Sequence, residues 1–371
     1  MPKTRKIRYA IVGLGHIAQE AVLPGFKHAR KNSELAAFVS GDKTKLRTLA
    51  KRYGVSTLCT YDEYDTLLKS GEIDAVYIAL PNDLHKDYTI RAAQAGVHVL
   101  CEKPMALTVG DCQEMIEAAR RNDVKLMIAY RLHFEKSNLR AIQIAQSGQL
   151  GELRYFNSAF SFAVKPGNIR LDETRGGGPL YDIGVYCINA ARNIFRDEPT
   201  EVFAFAANTG SRHFKGVEET VSAVLRFPDN RLASFTVSFN AAAVTEYRIV
   251  GTKGDLCVEN GYEYAAEIEQ WLTVKEKTRH TKYKVHDQFG PELKYFSECV
   301  LKNRQPEPSG VEGLADLRVI ESLFESMRTN LPVRLPTLKI ARRPSPRQEI
   351  TRAKVRKRKL VKVEGAAKEA A

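Results

Sequence analysis

The strongest constraint on this chain is a glycine pattern close to its start. The apolar run Tyr9-Ala10-Ile11-Val12 breaks into Gly13-Leu14-Gly15-His16-Ile17-Ala18 and passes directly into a helical pattern. In a strand–turn–helix of this G-x-G-x-x-A type, the first glycine permits the tight turn. The second lets the backbone approach a pyrophosphate, and the small third residue lets helix and strand pack closely. The free N–H groups at the helix start attract the anion. Gly13, Gly15, His16 and Ile17 are therefore the first candidates for a dinucleotide site.

The residues beyond the turn extend the pattern. Nearly continuous apolar runs at Ile7–Val12, Leu35–Val39, Ala75–Leu80, Val97–Cys101 and Lys125–Ala129 read as strands buried on both faces. Helical patterns lie between them at about 17–30, 44–53, 62–69, 84–95 and 109–121, with Asp62 and Thr108 as N-cap candidates and Gly54 and Gly96 as stops. Strand–helix alternation predicts an α/β fold, with a Rossmann-type doubly wound parallel sheet over residues 1–130.

The pattern changes after about residue 150. Leu153–Val164, Glu201–Ala207, Thr220–Phe227, Leu232–Asn240 and Glu246–Val250 read as long strands, followed by helices at Glu292–Lys302 and Val311–Asn330. Residues 131–335 are expected to form an α+β domain that binds substrate on a large, mostly antiparallel sheet. Phe203, Phe205, Phe235, Val237 and Phe239 recur at period two, and only one sheet face can cover the helices. A homodimer or homotetramer through the other face is the expectation.

Charge narrows the partners. Of the net +13, the segment from Lys339 to Ala371 carries +9, as 12 Lys or Arg against three acids. The body is only mildly basic, which disfavours a dedicated nucleic-acid binder. Residues 336–371 have Pro, charge and little periodicity and are expected to be a disordered basic tail. Contact of that tail with nucleic acid or an anionic surface is the lesser reading, a solvated solubility tail the greater. No apolar run approaches the roughly 18 residues needed to cross a bilayer, and the charged N-terminus lacks the pattern of a secretory signal. The six cysteines form no C-x-x-C pair. They read as reduced, buried thiols in a cytoplasmic protein, with no metal site.

The residues at the end of the second strand address the choice of cofactor. An NAD enzyme usually has an acid there, to bind the ribose 2′-hydroxyl. This chain has Ser40 and Gly41, then Asp42 and the lysines Lys43 and Lys45. A small hydroxyl leaves room for a 2′-phosphate that Lys43 or Lys45 would neutralise. NADP(H) is the preferred expectation, with NAD(H) possible.

Three further motifs follow strands or lie beyond them: Leu80-Pro81-Asn82-Asp83-Leu84-His85, Cys101-Glu102-Lys103-Pro104, and Gly176-Gly177-Gly178-Pro179-Leu180-Tyr181-Asp182-Ile183-Gly184-Val185-Tyr186. With the glycine turn, and in this order, they resemble the Gfo/Idh/MocA oxidoreductase family, and the last looks like its glucose–fructose oxidoreductase branch. The resemblance covers about residues 7–335. It implies Lys103 as the catalytic lysine, Asp182 as its pocket partner, and Tyr186 at the position of the proton donor and acceptor. It places Pro81, Asn82, His85, Glu102 and Lys103 along the cofactor and Arg131 at the flank of its pocket, and it suggests a cis Lys103–Pro104 bond. The branch carries an extended N-terminal arm over its cofactor. Here the chain begins a few residues before its first strand, so a conventional enzyme that releases NADP(H) is at least as strong an expectation as a sugar–sugar dismutase.

The chemistry also follows from the residues themselves. Strand ends gather on one edge of a parallel sheet, where ligands bind. Hydride transfer to a carbonyl builds negative charge on oxygen, which an ammonium stabilises and a phenol protonates. A Lys103 lowered in pKa by burial, or a Tyr186 lowered by that lysine, would run the reverse step. Asp182 is equally readable as an N-cap of the helix from Ile183 to Phe195, and Tyr186 as packed core. The expected reaction is hydride transfer between NADP(H) and a sugar or polyol carbonyl or hydroxyl. The alternatives are a dehydrogenase or reductase of a cyclitol or other non-sugar, and a non-catalytic dinucleotide sensor.

Overall fold

The computed structural model describes residues 5–363 together with 365 and 367. Six parallel strands form the first sheet: β1 (Ile7–Val12), β2 (Ser33–Val39), β3 (Thr57–Cys59), β4 (Ala75–Ile78), β5 (His98–Cys101) and β6 (Leu126–Ile128). Their order is β3-β2-β1-β4-β5-β6. The order reverses between β1 and β4, so the loops after those strands flank the crevice where ligands bind in such sheets. The fold is a doubly wound α/β sheet, as its strand–helix alternation predicts.

Both faces of this sheet are covered. Ala10 and Val12 point into one apolar cluster, and Ile7, Tyr9 and Ile11 into another. Full burial of each of the larger ones, Val12, Ile7 and Ile11, contributes about 1.5–3 kcal/mol. A wide helical turn (Ala18–Val22) leads into α1 (Leu23–Ala29). Then come α2 (Lys43–Tyr53), α3 (Tyr64–Lys69), α4 (His85–Gln94) and α5 (Val109–Arg121). Thr108 caps α5 through Asp111 N, and Gly54 ends α2 in the left-handed region. Asp62 does not cap α3; Glu63 takes that position and accepts from Thr60 N at 2.7 Å.

The second sheet has nine strands: β7 (Leu153–Ser161), β8 (Glu201–Ala207), β9 (Thr220–Arg226), β10 (Leu232–Ser238), β11 (Val244–Gly251), β12 (Gly254–Glu259), β13 (Ile268–Val274), β14 (Lys277–Tyr283) and β15 (Val333–Arg334). Their order is β14-β13-β12-β11-β7-β10-β9-β8-β15, and β7–β10 is the one parallel pair among these described strands. The helices of this half are α6 (Lys136–Gln146), α7 (Val185–Phe195), α8 (Phe289–Leu301) and α9 (Gly310–Thr329). Helix α8 returns to the first sheet. Tyr9 Oη and Ser297 Oγ lie 2.8 Å apart, and a Cβ at Gly25 would meet Gly290 N at 2.8 Å.

Two expectations need correction. The five apolar residues at period two do not share a face. Phe235, Val237 and Phe239 are buried, whereas Phe205 is 61% exposed with Tyr155, Val224 and Leu232 among the exposed apolar residues. The register explains the split. Phe203 pairs with Val224 and Phe205 with Ser222, whereas Phe235 pairs with Ala223.

The second correction concerns the tail. Over residues 336–363 the chain is an extended arm packed on the body. Arg343 donates to Glu198 at 2.7 Å, Asp287 N to Arg352 O at 3.0 Å, and Arg52 to Lys359 O at 2.8 Å. Its charge finds partners on the folded surface, a pairing that composition does not reveal.

Candidate active site

Gly13 closes the turn after β1 with φ +92°, and a Cβ there would stand 2.5 Å from Ala79 O, so only glycine fits. Nothing lies within 4 Å of a Cβ position at Gly15. A strained first glycine and an open second one suit a backbone that a pyrophosphate approaches, so these residues fit a dinucleotide. His16 and Ile17 follow, half-buried, at the helix start.

At the end of β2, Ser40 is buried and its Oγ accepts from Asp42 N at 3.2 Å. Gly41 packs under the ring of Tyr61, 3.4 Å from its Cβ position. Asp42 caps α2, accepting from Thr44 N at 2.8 Å and Lys45 N at 3.0 Å. Its Oδ1 is thereby committed to the helix, and these N–H groups help to hold its pKa below the usual range. Lys45 is half-buried beside it.

The loop after β4 carries Pro81 and Asn82. Asn82 Nδ2 donates to Gly176 O at 2.8 Å. Gly176 has φ +73°, and a Cβ there would lie 2.3 Å from Leu107 Cδ2 and 3.0 Å from Asn82 Cβ. The glycine run is therefore a tight passage under this loop. His85 does not line the crevice. It is fully buried, with Nδ1 2.9 Å from Pro104 O and Nε2 3.0 Å from Leu80 O, so it ties two strand-end loops together. Burial pushes its pKa down against those carbonyls.

The loop after β5 carries Glu102, Lys103 and Pro104. Lys103–Pro104 is cis, and the Lys103 side chain is 11% exposed. Its Nζ donates to Asp182 O at 2.7 Å and to Asp182 Oδ1 at 3.1 Å. It also lies 4.7 Å from the centre of the Tyr186 ring. Burial opposes the ammonium charge, but Tyr186, Asp182 and Glu102 outweigh it and hold the pKa above the normal lysine value. The lowered lysine expected from burial alone is thus corrected; Tyr186 together with the two carboxylates decides its sign. Glu102 sits beneath, buried, accepting from Tyr77 Oη at 2.8 Å and Lys103 N at 3.3 Å, and burial raises its pKa. It supports Lys103 from below and does not form a wall of the crevice.

Asp182 is not an N-cap. It lies inside the helical stretch Leu180–Gly184 that runs into α7, and its N–H donates to Gly178 O at 3.3 Å. Its carboxylate faces two cations, Lys103 and Arg170, whose Nε donates to Oδ2 at 2.6 Å. Burial alone would raise the Asp182 pKa, but Arg170 and Lys103 together drive it well below the usual range. Tyr186 follows one turn later on the same helical face and is half-buried. Arg131, 5% exposed, places its guanidinium 5.1 Å from the centre of that ring and donates to Gln288 and to Tyr262 O. Its guanidinium is thus engaged with Gln288, Tyr262 and the Tyr186 ring.

The structure brings Lys103, Asp182 and Tyr186 together at the sheet edge that also carries Gly13, Gly15 and Asn82. Sequence reasoning missed Arg170. It sits in a single irregular turn (Ile169–Leu171) without a motif, and only its short distance to the glycine run hinted at a place in the site.

The model of the oxidoreductase family with an NAD-binding Rossmann fold, GFO/IDH/MocA, matches residues 7–130, and the model of that family's C-terminal domain matches residues 138–257. The chain belongs to the GFO/IDH/MocA family. It is an NAD(P)-dependent oxidoreductase. It is 31% identical to the D-xylose 1-dehydrogenase [NADP(+)] of Haloarcula marismortui over 336 residues, covering 89% of this chain and 93% of that one. An uncharacterised oxidoreductase of Rhizobium meliloti is 37% identical over 257 residues, 69% of this chain and 75% of its own. Among solved structures, the aldose–aldose oxidoreductase of Caulobacter crescentus, complexed with glycerol, superposes with a TM-score of 0.85 at 36% identity, over 89% of this chain and all of that one. A 3-ketoreductase of Actinomadura kijaniata, bound to NADP and TDP-benzene, gives 0.79 at 26% identity, over 86% and 98%. Among the described residues no helix is long and apolar enough to cross a membrane, and the six cysteines are free thiols.

Proposed function

We propose that this enzyme moves a hydride between NADP(H) and a carbonyl or hydroxyl carbon of a sugar, in the manner of an aldose dehydrogenase or aldose oxidoreductase. The observation that carries the reading is Lys103, fixed by Asp182 and set against the Tyr186 ring at the edge where the glycine turn opens. The relatives that act on xylose and on aldoses give the substrate class its support.

Bound nicotinamide supplies or accepts the hydride. Lys103 Nζ has three protons. Two are taken by Asp182, and the third is left to meet a substrate oxygen and stabilise its developing charge. Asp182 fixes the direction of that ammonium, and Arg170 fixes Asp182. Tyr186 Oη gives the proton to the alkoxide oxygen on reduction and receives it on oxidation. Residues 1–130 hold the cofactor, and residues 131–335 bring Asp182, Tyr186 and the substrate floor. Free thiols support a cytoplasmic setting. The exposed Tyr155, Phe205, Val224 and Leu232 on the open face of the nine-stranded sheet support pairing of two copies there, and a monomer in light scattering at micromolar concentration would refute that pairing.

The test is a panel of aldoses, ketoses and cyclitols, with NADP+ and NAD+ compared by nicotinamide absorbance. Aldoses with NADP+ are expected to give the highest kcat/KM. Turnover confined to cyclitols would replace the substrate class, and no turnover with any of them would overturn the sugar reading.

A further inference from the structure

The C-terminal arm does not stop at the back of the first sheet. It runs along the nucleotide edge, and a buried side chain is committed to holding it there. Gln19, 2% exposed, sits at the start of the helix after the glycine turn. Its Oε1 accepts from Val361 N at 2.8 Å, and its Nε2 donates both to Val361 O at 3.1 Å and to Leu14 O at 2.9 Å. One amide thus clips the arm to the turn itself. Upstream, Arg358 lies over the Tyr53 ring at 5.3 Å. Beyond the clip, a Cβ at Gly365 would lie 3.6 Å from His16 Nε2, and Ala367 forms an antiparallel bridge with Val164 of the second half.

Lys362, next to the clip, has φ +49°, a left-handed backbone unusual for lysine. Such a conformation persists where surrounding contacts over-determine it. The contacts here are its Nζ 3.3 Å from Asp42 Oδ2 and 3.2 Å from Thr44 Oγ1. Asp42 lies in the loop after β2 and Thr44 in the first turn of α2, two and four residues past Ser40, where a 2′-phosphate or a 2′-hydroxyl distinguishes the two nicotinamide cofactors. Asp42 brings a negative charge to that loop, which would repel a phosphate. Lys362 offsets it from a chain segment more than 300 residues away in sequence, and its side chain is 56% exposed, with one ammonium proton left over by these two partners.

We propose that the C-terminal arm completes the cofactor site, with Lys362 as the cation that selects the 2′-phosphate of NADP(H) over the 2′-hydroxyl of NAD(H). The proposal rests on the NADP reading above and adds a residue to it that lies outside both family-matched segments. Lys362 delivers charge to the 2′-phosphate while Gln19 sets its register.

Calorimetric binding of NADP+ and NAD+ to the full-length chain without substrate tests this, with Lys362→Met, Lys362→Arg and the arm control Lys359→Met, each verified by thermal melting. Lys362→Met is expected to weaken NADP+ at least about tenfold and to leave NAD+ within about twofold, because only one of the two carries the phosphate. Lys362→Arg should retain the preference, since a guanidinium also binds phosphate. Lys359→Met should change neither affinity. A chain ending at Lys359 should reproduce the loss seen in Lys362→Met. If wild type prefers NADP+ and Lys362→Met keeps the same preference, Lys362 is not the selecting cation, while the cofactor reading stands. If wild type binds the two equally, both fall. An equal loss in Lys359→Met would reduce the effect to general charge and overturn the assignment.

Discussion

Helix α7 and the wide turn before it carry two charged clusters, and the contrast between them separates chemistry from scaffolding. At its far end Arg192, fully buried, spends all five N–H groups: two on Glu198, at 2.7 and 3.0 Å, two on Glu312, both at 3.2 Å, and one on Asp316. Asn189 donates to Glu312 and Asp316, His133 reaches Asn189 and Glu307, and Arg343 of the arm adds a further bond to Glu198. Among the described residues this network is closed, with α7, α9 and the arm fastened together and no donor of Arg192 left for a ligand. At the near end, the ammonium of Lys103 uses two donors on Asp182 and keeps one. On the reading proposed above, the buried cluster fastens the helix and the near end keeps a donor for a substrate oxygen.

The comparison breaks in measurable ways. The largest effect is expected from Arg192→Met, which leaves Glu198, Glu312 and Asp316 short of their shared cation. A loss of about 3–5 kcal/mol in urea unfolding is expected, with kcat per folded molecule unchanged. A drop in kcat without a drop in stability would make the far cluster part of the chemistry. Tyr186→Phe should do the reverse, lowering kcat by about 10² while NADP+ binding and the melting temperature hold.

Arg170→Met should cost roughly tenfold in kcat/KM by loosening the aim of Asp182. It should also raise the acid limb of the pH profile, because Arg170 is the larger of the two charges that depress the Asp182 pKa. An unmoved limb would show that Arg170 does not act through Asp182. The smallest effect concerns His133. Burial opposes its charge, but Glu307 and Glu312 raise its pKa to about 9. A raised histidine stabilises the fold fully below its unfolded value of about 6.5 and loses that contribution as pH climbs through about 9. His133→Gln should therefore flatten unfolding free energy across that window by about 1 kcal/mol or more. An unchanged pH dependence would remove His133 from the closed network's charge balance.

Much of the near end is legible in the sequence because its parts are bound to backbone geometry. Gly13 must be glycine at φ +92°, Lys103 follows a strand and precedes a proline, and Asp182 and Tyr186 share a helical face. The first sheet is readable for the same reason, since buried strands are continuous apolar runs. The three-residue β3 and the polar edge strand β14, whose residues are mostly exposed, carry no such signal. The far cluster is not readable in this way. Arg192 looks like any surface arginine until α9 brings Glu312 and Asp316 to it. The arm is the same case on a larger scale: its composition suggests disorder, while Gln19, Asp42 and Glu198, scattered through the sequence, give it a course. His85 shows the limit at a single residue, since both its nitrogens are claimed by carbonyls of two separate loops.

Single-turnover stopped flow most directly tests whether the open cluster is the hydride-transfer site. Wild type and Lys103→Met, each loaded with NADP+ to the same measured occupancy, are mixed with an aldose that supports wild-type turnover. Wild type is expected to form NADPH in a fast phase slowed by deuterium at the reacting carbon, and Lys103→Met to lose that phase by roughly 10²–10³. A Lys103→Met enzyme that reduces its bound cofactor at the wild-type rate would contradict the assignment.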